Sequence, residues 1–162
     1  MTDTTSVPAK ETDSALWRLI KGVELVDVRV VRWHSELRDY YARLLKDLEP
    51  EFVVEFRHDA ETMQFRWIFD TILKSMTGKP VADLGLTLVQ TFEFTDPDAG
   101  LGLSSDLIRG FAEKTAIISI IPFVREAVQT MTVRLGLPAV TLGLARAGSA
   151  GPRSFSVRDG QE

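Results

Sequence analysis

The amino-acid sequence predicts an α+β domain, in which a four-stranded antiparallel sheet is followed by a long C-terminal helix. The main observation is a change of hydrophobic period. Apolar residues alternate with polar ones in four segments up to residue 94, and they recur every three or four residues after residue 104. The turn-forming stretch 96–100 separates the two parts. The 162 residues are 44% hydrophobic and 26% charged, which is ordinary for one folded domain.

Alternation places the four strands within residues 23–33, 52–57, 63–73 and 82–94. The connections between the last three are short, which favours antiparallel neighbours. In the first strand, strict alternation puts Val26, Val28 and Val30 on one side and Trp33 on the other. We expect one face of the sheet to be strongly aromatic, carrying Phe52, Phe56, Phe65, Trp67, Phe69, Phe92 and Phe94.

Helical spacing predicts two helices in the first third of the chain. One is capped by Asp13 or Ser14 and ends at Gly22, and a connecting helix covers residues 35–49 up to Pro50. Because residues before Asp13 contain little apolar material, we expect a flexible arm over 1–12.

Two further helices follow the strands. Ser104 or Ser105 caps a short one, and a longer one runs over residues 116–135 to a stop at Gly136. Pro122 inside the longer helix predicts either a kink or a helix that begins at Ile121. Residues 145–162 are expected to form a flexible tail, which leaves 13–144 as the folded domain.

Composition limits the classes of function. There are no cysteines, the net charge is −4, and we find neither a signal peptide nor an apolar run of membrane-spanning length. We therefore expect a cytoplasmic protein that binds no nucleic acid and does not insert into membranes. The only histidines, His34 and His58, are expected at strand edges, no metal site is predicted, and no catalytic or nucleotide-binding motif occurs. No enzyme and no cofactor are predicted.

The predicted sheet is larger than the predicted helices can cover. Four strands about 40 Å long present roughly 700–800 Å², and a helix of twenty residues is about 30 Å by 10 Å. Three explanations remain open: an oligomer with helices between the sheets of different subunits, a groove for an apolar ligand, or an ordinary monomeric core. The apolar residues of the long helix favour self-association through Phe123, Ala127, Val128, Met131 and Leu135.

The segment IPFVREAVQTMTVRLGLPAVTLGL, residues 121–144, resembles the signature of the SecB family of export chaperones. The matching positions are Pro122, Phe123, Arg125, Glu126, Arg134 and Pro138. Four long strands before this helix also agree with the family, so that the resemblance covers residues 16–144. The segment ALWRLIKGVELVDVRVVR is most similar to SecB-like proteins encoded with toxin–antitoxin pairs.

The resemblance implies an ATP-independent holdase, a homotetramer that binds unfolded preproteins for Sec-dependent export or protects an antitoxin. By analogy, the strands and the helix would each contribute to a client-binding cleft, although the same residues would suit an ordinary core. These residues are Trp33, Trp67, Phe69, Phe111, Ile117 and Ile121. The alternative is a protein without chaperone activity that binds a small apolar ligand or has an unassigned α+β role.

Export-type members of the family dock the SecA motor on an acidic sheet face. The corresponding candidates in this chain are Asp27, Glu55 and Asp83, but arginines are interspersed among them. The tail also contains more arginine than acidic residues. We therefore expect SecA binding to be weak.

Overall fold

Helices cover one face of a five-stranded sheet. The structure, a computed structural model, describes residues 9–48, 51–140, 142 and 154–157, with 9–12 and 154–157 described by their backbone alone. The elements are, in chain order, α1 (Ala9–Lys21), β1 (Val23–Leu37), β2 (Val53–His58), β3 (Thr62–Lys74), β4 (Pro80–Phe94), a 3₁₀ turn (Pro97–Gly100), α2 (Ser105–Phe111), a π-helical turn (Ala112–Ala116), α3 (Ile117–Arg134) and β5 (Ser154–Val157).

The strand order in the sheet is β1-β4-β3-β2-β5. The first four strands pair in antiparallel fashion, whereas β5 runs parallel to β2. The α+β class with a four-stranded antiparallel sheet and a long C-terminal helix is confirmed. The helix-facing side of β2, β3 and β4 is buried, including all the predicted inner aromatics except Phe94, which is half-buried.

Strand β1 carries two bulges that the alternation did not reveal. Its register against β4 shifts between Leu25 and Asp27 and again between Val30 and Arg32. Each bulge adds one residue and so reverses the alternation beyond it. As a result Trp33, paired with Leu86, lies on the same helix-facing side as Val30, paired with Leu88. The prediction that placed Trp33 on the opposite face was wrong for this reason.

Helices α2 and α3 are joined through the π-helical turn into one helical segment. The Ser104 hydroxyl accepts a hydrogen bond from Leu107 N, which confirms the predicted cap. Gly136, at φ 69°, ends α3 because its N–H and that of Leu137 donate to the carbonyls of Val133 and Thr132. The helix continues through Pro122, so that a start at Ile121 is wrong. No helix in the described part of the chain combines the length and apolar content needed to cross a membrane.

The predicted connecting helix over residues 35–49 is not formed. Strand β1 continues to Leu37, and residues 38–48 follow the end of the β3–β4 hairpin instead. Arg38 N and Asp39 N donate to Val81 O, and Lys46 N donates to Lys74 O. These bonds to the hairpin satisfy backbone groups that a helix would have paired internally. The helical spacing of the leucines was therefore a misleading signal, and Leu44 remains exposed.

The two chain ends contain more regular structure than the sequence predicted. Helix α1 begins at Ala9, inside the stretch 1–12 expected as a flexible arm. Strand β5 lies inside the stretch 145–162 expected as a flexible tail, and its pairing with β2 is a correction to that expectation for residues 154–157. The remaining parts of the arm and tail lie outside the described residues.

Candidate functional site

An apolar cavity of about 740 Å³ opens between α1, the start of β1 and the π-helical turn. Three large apolar side chains form its exposed wall: Trp17 is 62% exposed, Leu25 38% and Ile118 67%. We call this cavity the β1 groove. Its full lining is Asp13, Leu16, Trp17, Ile20, Leu25, Phe92, Lys114, Thr115, Ile118 and Ser119.

A row of exposed apolar side chains continues from the groove along β1. Leu25, Val30 and Trp33 face the helix side of the sheet, and Val30 and Trp33 are 46% and 39% exposed. Their partners on β4, from Phe92 to Leu86, are six residue steps apart, or about 20 Å. We call these three residues the β1 strip. Helix α1 contacts β1, and the two bulges keep Val30 and Trp33 on the helix side of the strand, where both remain partly exposed.

The six residues predicted to line the cleft are divided by the structure. Trp33 is on the β1 strip and Ile121 is half-buried on α3. The other four, Trp67, Phe69, Phe111 and Ile117, lie in the core of the described chain, each at most 5% exposed. The rings of Phe111 and Phe92 meet edge to face with centroids 5.2 Å apart. Such burial of these four residues does not fit an open cleft.

A buried hydrogen-bond network explains the position of Trp67. Its indole Nε1 donates to Gln90 Oε1 at 3.0 Å, and Gln90 Nε2 donates to Ser119 Oγ at 2.6 Å and to Ala116 O at 3.2 Å. Gln90 and Trp67 are 0% and 1% exposed. Because buried polar groups need partners, this network fixes the end of the π-helical turn against the sheet. It positions Ile118, the neighbour of Ser119, at the groove.

The predicted oligomer residues lie on both sides of α3. Ala127, Val128 and Met131 are buried against the sheet, whereas Phe123 is 40% exposed and Leu135 is half-buried. Sequence reasoning missed Trp17, Leu25, Ile118 and Val133 as exposed apolar residues. Which apolar side chains stay exposed depends on how the folded helices pack on the sheet. The sequence periodicity alone does not distinguish these exposed residues from buried ones.

The three acidic candidates for SecA docking do not form a patch. Asp27 is 2.8 Å from Arg29, Glu55 is 3.1 Å from Arg66, and Asp83 pairs with Arg38. Asp27 pairs with Thr91 of β4, so that it lies eight residues, or about 26 Å, from Asp83 along the strand. That separation exceeds the screening length of about 8 Å at physiological salt. Each carboxylate is partly neutralised, and the acids do not act together.

Another ion pair on this outer face ties β1 to the sheet. Arg32 of β1 reaches over β4 to Asp70 of β3, with 2.7 Å between Nη1 and Oδ1. A Cβ atom at Gly85 would lie 2.8 Å from Asp70 Oδ1, so that a larger residue there would shift the ion pair. No group of three or more potential metal-ligating side chains occurs among the residues whose placement is described.

Docking on the outer face gives one prediction. We expect wild-type protein to bind purified SecA weakly near 10 mM salt, where the screening length is about 30 Å, and to lose that binding at physiological salt. The triple variant D27N/E55Q/D83N should lose the low-salt binding as well. Titration by fluorescence anisotropy measures both. Tight binding that ignores salt and these substitutions would contradict our assignment of this face.

Comparison with known proteins gives the class of fold. No protein-family model and no curated protein sequence matches the chain. Among solved structures, the chain is similar to a SecB-like chaperone, so that its fold is SecB-like. That structure is the Mycobacterium tuberculosis Rv1957 SecB-like chaperone in complex with a ChAD peptide from the Rv1956 HigA1 antitoxin. The match has 19% identity and a TM-score of 0.69, and it covers 82% of this chain and 97% of the other.

A second solved structure is a protein of unknown function from Streptococcus agalactiae. It has 15% identity and a TM-score of 0.41, covering 75% of this chain and 97% of that one. A likeness at that score carries no argument about function. The predicted resemblance to the SecB fold is confirmed by the first structure.

Proposed function

We propose that this chain is an ATP-independent holdase that binds non-native polypeptides along the β1 groove and the β1 strip. The observation that carries the proposal is the group of exposed apolar side chains formed by Trp17, Ile118 and the β1 strip. Large exposed apolar side chains gathered on one side of a protein are typical of binding sites. The SecB-like fold supports a chaperone role, and the similar structure from M. tuberculosis contains an antitoxin peptide.

The geometry favours weak, exchangeable binding. Burying a fully exposed large apolar side chain contributes about 1.5–3 kcal/mol. Each groove residue contributes less than this to client binding, because part of its surface is already buried in the free protein. A handful of such contacts, reduced by the cost of association, gives affinities of about 1 μM or weaker. Clients can then leave without nucleotide hydrolysis. The groove rim carries one acid and one base, Asp13 and Lys114, so that recognition rests on apolar contact rather than charge.

We propose an antitoxin, rather than an exported preprotein, as the principal client. The paired and dispersed acids of the outer face favour this choice, since they give little attraction for SecA. We place the activity in the cytoplasm, where a chain that lacks cysteine needs no oxidising environment.

We further propose that the protein is a homotetramer, or failing that a dimer. Strand β1 has fifteen residues, lies at one end of the sheet that the described strands form, and carries exposed apolar side chains, a combination that a soluble monomer normally avoids. Phe123 adds exposed apolar surface on α3. Light scattering at about 50 μM protein should therefore give a mass of two or four chains, and a monomer would remove this part of the proposal.

The test of holdase activity is the aggregation of a denatured protein after dilution. We expect near-stoichiometric amounts of the chain to suppress light scattering by the client, with no change on addition of ATP. Absence of protection at every ratio would overturn the proposal. The cavity volume of about 740 Å³ also suits a small apolar ligand, the second candidate. Saturable binding of a fatty acid without any protection of clients would favour that candidate.

A further inference from the structure

Strand β5 occupies the outer edge of β2. The register pairs Val53 with Ser154, Val54 with Phe155, Glu55 with Ser156 and Phe56 with Val157. Among the paired strands β1 to β5, this is the one parallel pairing. Four of the six residues of β2 are paired in this way, and the other edge of β2 is held by β3. Thus β5 is bound at an edge of a sheet that is already complete without it.

The chain length before β5 leaves considerable slack. Leu142 forms a parallel bridge with Leu48, and Ser154 pairs with Val53, five residues further along. The five residue steps from Leu48 to Val53 span at most about 17 Å, whereas the twelve residue steps from Leu142 to Ser154 can span about 40 Å. The connection therefore does not force β5 onto β2. Because β5 belongs to the same chain as β2, it competes for the β2 edge at an effective concentration of about 1 mM.

An open edge at β2 would accept another extended chain. Its unpaired N–H and C=O groups bond any strand that aligns with them, with little demand on sequence. The side chains next to this edge are mostly apolar or neutralised: Val53 is 40% exposed, and Glu55 is 3.1 Å from Arg66. The natural occupant, Ser-Phe-Ser-Val, alternates small polar and apolar residues. A suitable ligand therefore has the same extended, uncharged, alternating character.

We propose that the β2 edge is a strand-accepting site for an extended client segment and that β5 occupies it in cis. This inference rests on the proposed holdase function. A client that is bound in the β1 groove must displace β5 before it can also pair with the β2 edge. The presence of β5 therefore lowers the affinity for such clients. Segments that pair as strands compete with the tail, whereas segments that bind only the groove do not.

The test uses full-length variants. Successive N–H groups of a strand point to opposite edges, so that the N–H of either residue 156 or residue 157 points toward β2. Because proline has no N–H, S156P/V157P removes that hydrogen-bond donor in both cases. The control Q161P/E162P places the same two prolines beyond β5. The probe is a labelled peptide with the sequence of residues 151–160, GPRSFSVRDG. We expect it to bind S156P/V157P at least ~10-fold more tightly than the wild type or the control, because the tethered strand no longer competes.

A second measurement uses a reduced and carboxymethylated protein that cannot refold. S156P/V157P should bind it several-fold more tightly than the control, and bound client should restore slow amide exchange to residues 53–58. No gain in peptide binding, or a gain in peptide binding without any gain for the client, would overturn the inference. If the wild type binds no unfolded protein at all, the holdase proposal fails. The peptide experiment still decides whether β2 accepts strands.

Discussion

Replacing Ile118 by aspartate is expected to weaken client binding by about 10- to 100-fold. Ile118 is 67% exposed at the wall of the β1 groove, next to Ser119 in the buried network of Gln90. The change removes apolar contact of about 1–2 kcal/mol and adds a charge that a bound client would desolvate. Each 1.4 kcal/mol corresponds to a factor of ten in affinity. Fluorescence anisotropy of a labelled, permanently unfolded protein measures the loss.

Val133→Asp is the matched control for Ile118→Asp. Val133 is 70% exposed on the same helix, but it does not line the groove. Both substitutions should leave the folding free energy almost unchanged, because exposed surface changes rarely exceed about 0.5 kcal/mol. Equal losses of client binding in the two variants would contradict the groove as the binding site. So would full binding by Ile118→Asp.

Trp67→Ala is expected to destabilise the fold by about 3–5 kcal/mol, a large share of the stability of a typical domain. Trp67 is 1% exposed, its ring contacts Phe52 edge to face at 5.6 Å, and its removal leaves the Gln90 amide without its donor. Trp33→Ala, by contrast, removes a side chain that is 39% exposed. It should cost clearly less stability than Trp67→Ala while weakening client binding.

Urea unfolding monitored by circular dichroism, together with client titration, separates the two tryptophans. If Trp67→Ala fails to fold, Trp67→Phe keeps most of the ring volume and loses the indole donor, so that it gives a measurable, smaller loss of stability. A Trp67→Ala protein that is as stable as the wild type but no longer binds clients would show that Trp67 contacts clients directly. It would contradict our assignment of this residue to the core.

Much of the fold could be predicted because local patterns and tertiary packing agree in β2, β3, β4 and α3. The alternation of Phe52, Val54 and Phe56 matches their burial. Ser104 caps the start of α2 with its hydroxyl, and Gly136 ends α3 with a positive φ. The two bulges of β1 could not be predicted, because a bulge is set by pairing with β4 and leaves the composition of the strand unchanged.

The errors of prediction have a common physical cause. Residues 38–48 have helical spacing, but hydrogen bonds to the β3–β4 hairpin replace the helix. Strand β5 has only four residues, too few for a clear pattern, and the open edge of β2 determines its pairing. The β1 groove could not be predicted either, because the exposure of Trp17 and Ile118 depends on how α1 and α3 pack in the folded protein. Long-range contacts decided each case.

Site-specific crosslinking tests the central claim most directly. A photoreactive amino acid would replace Trp17, Ile118 or Val133 in turn, and each protein would be irradiated with a permanently unfolded client. The proposed function predicts strong crosslinks from positions 17 and 118, weak crosslinks from position 133, and loss of the strong crosslinks on addition of excess unlabelled client. Crosslinks of equal strength from all three positions, or none from 17 and 118, would contradict the β1 groove as the client-binding site.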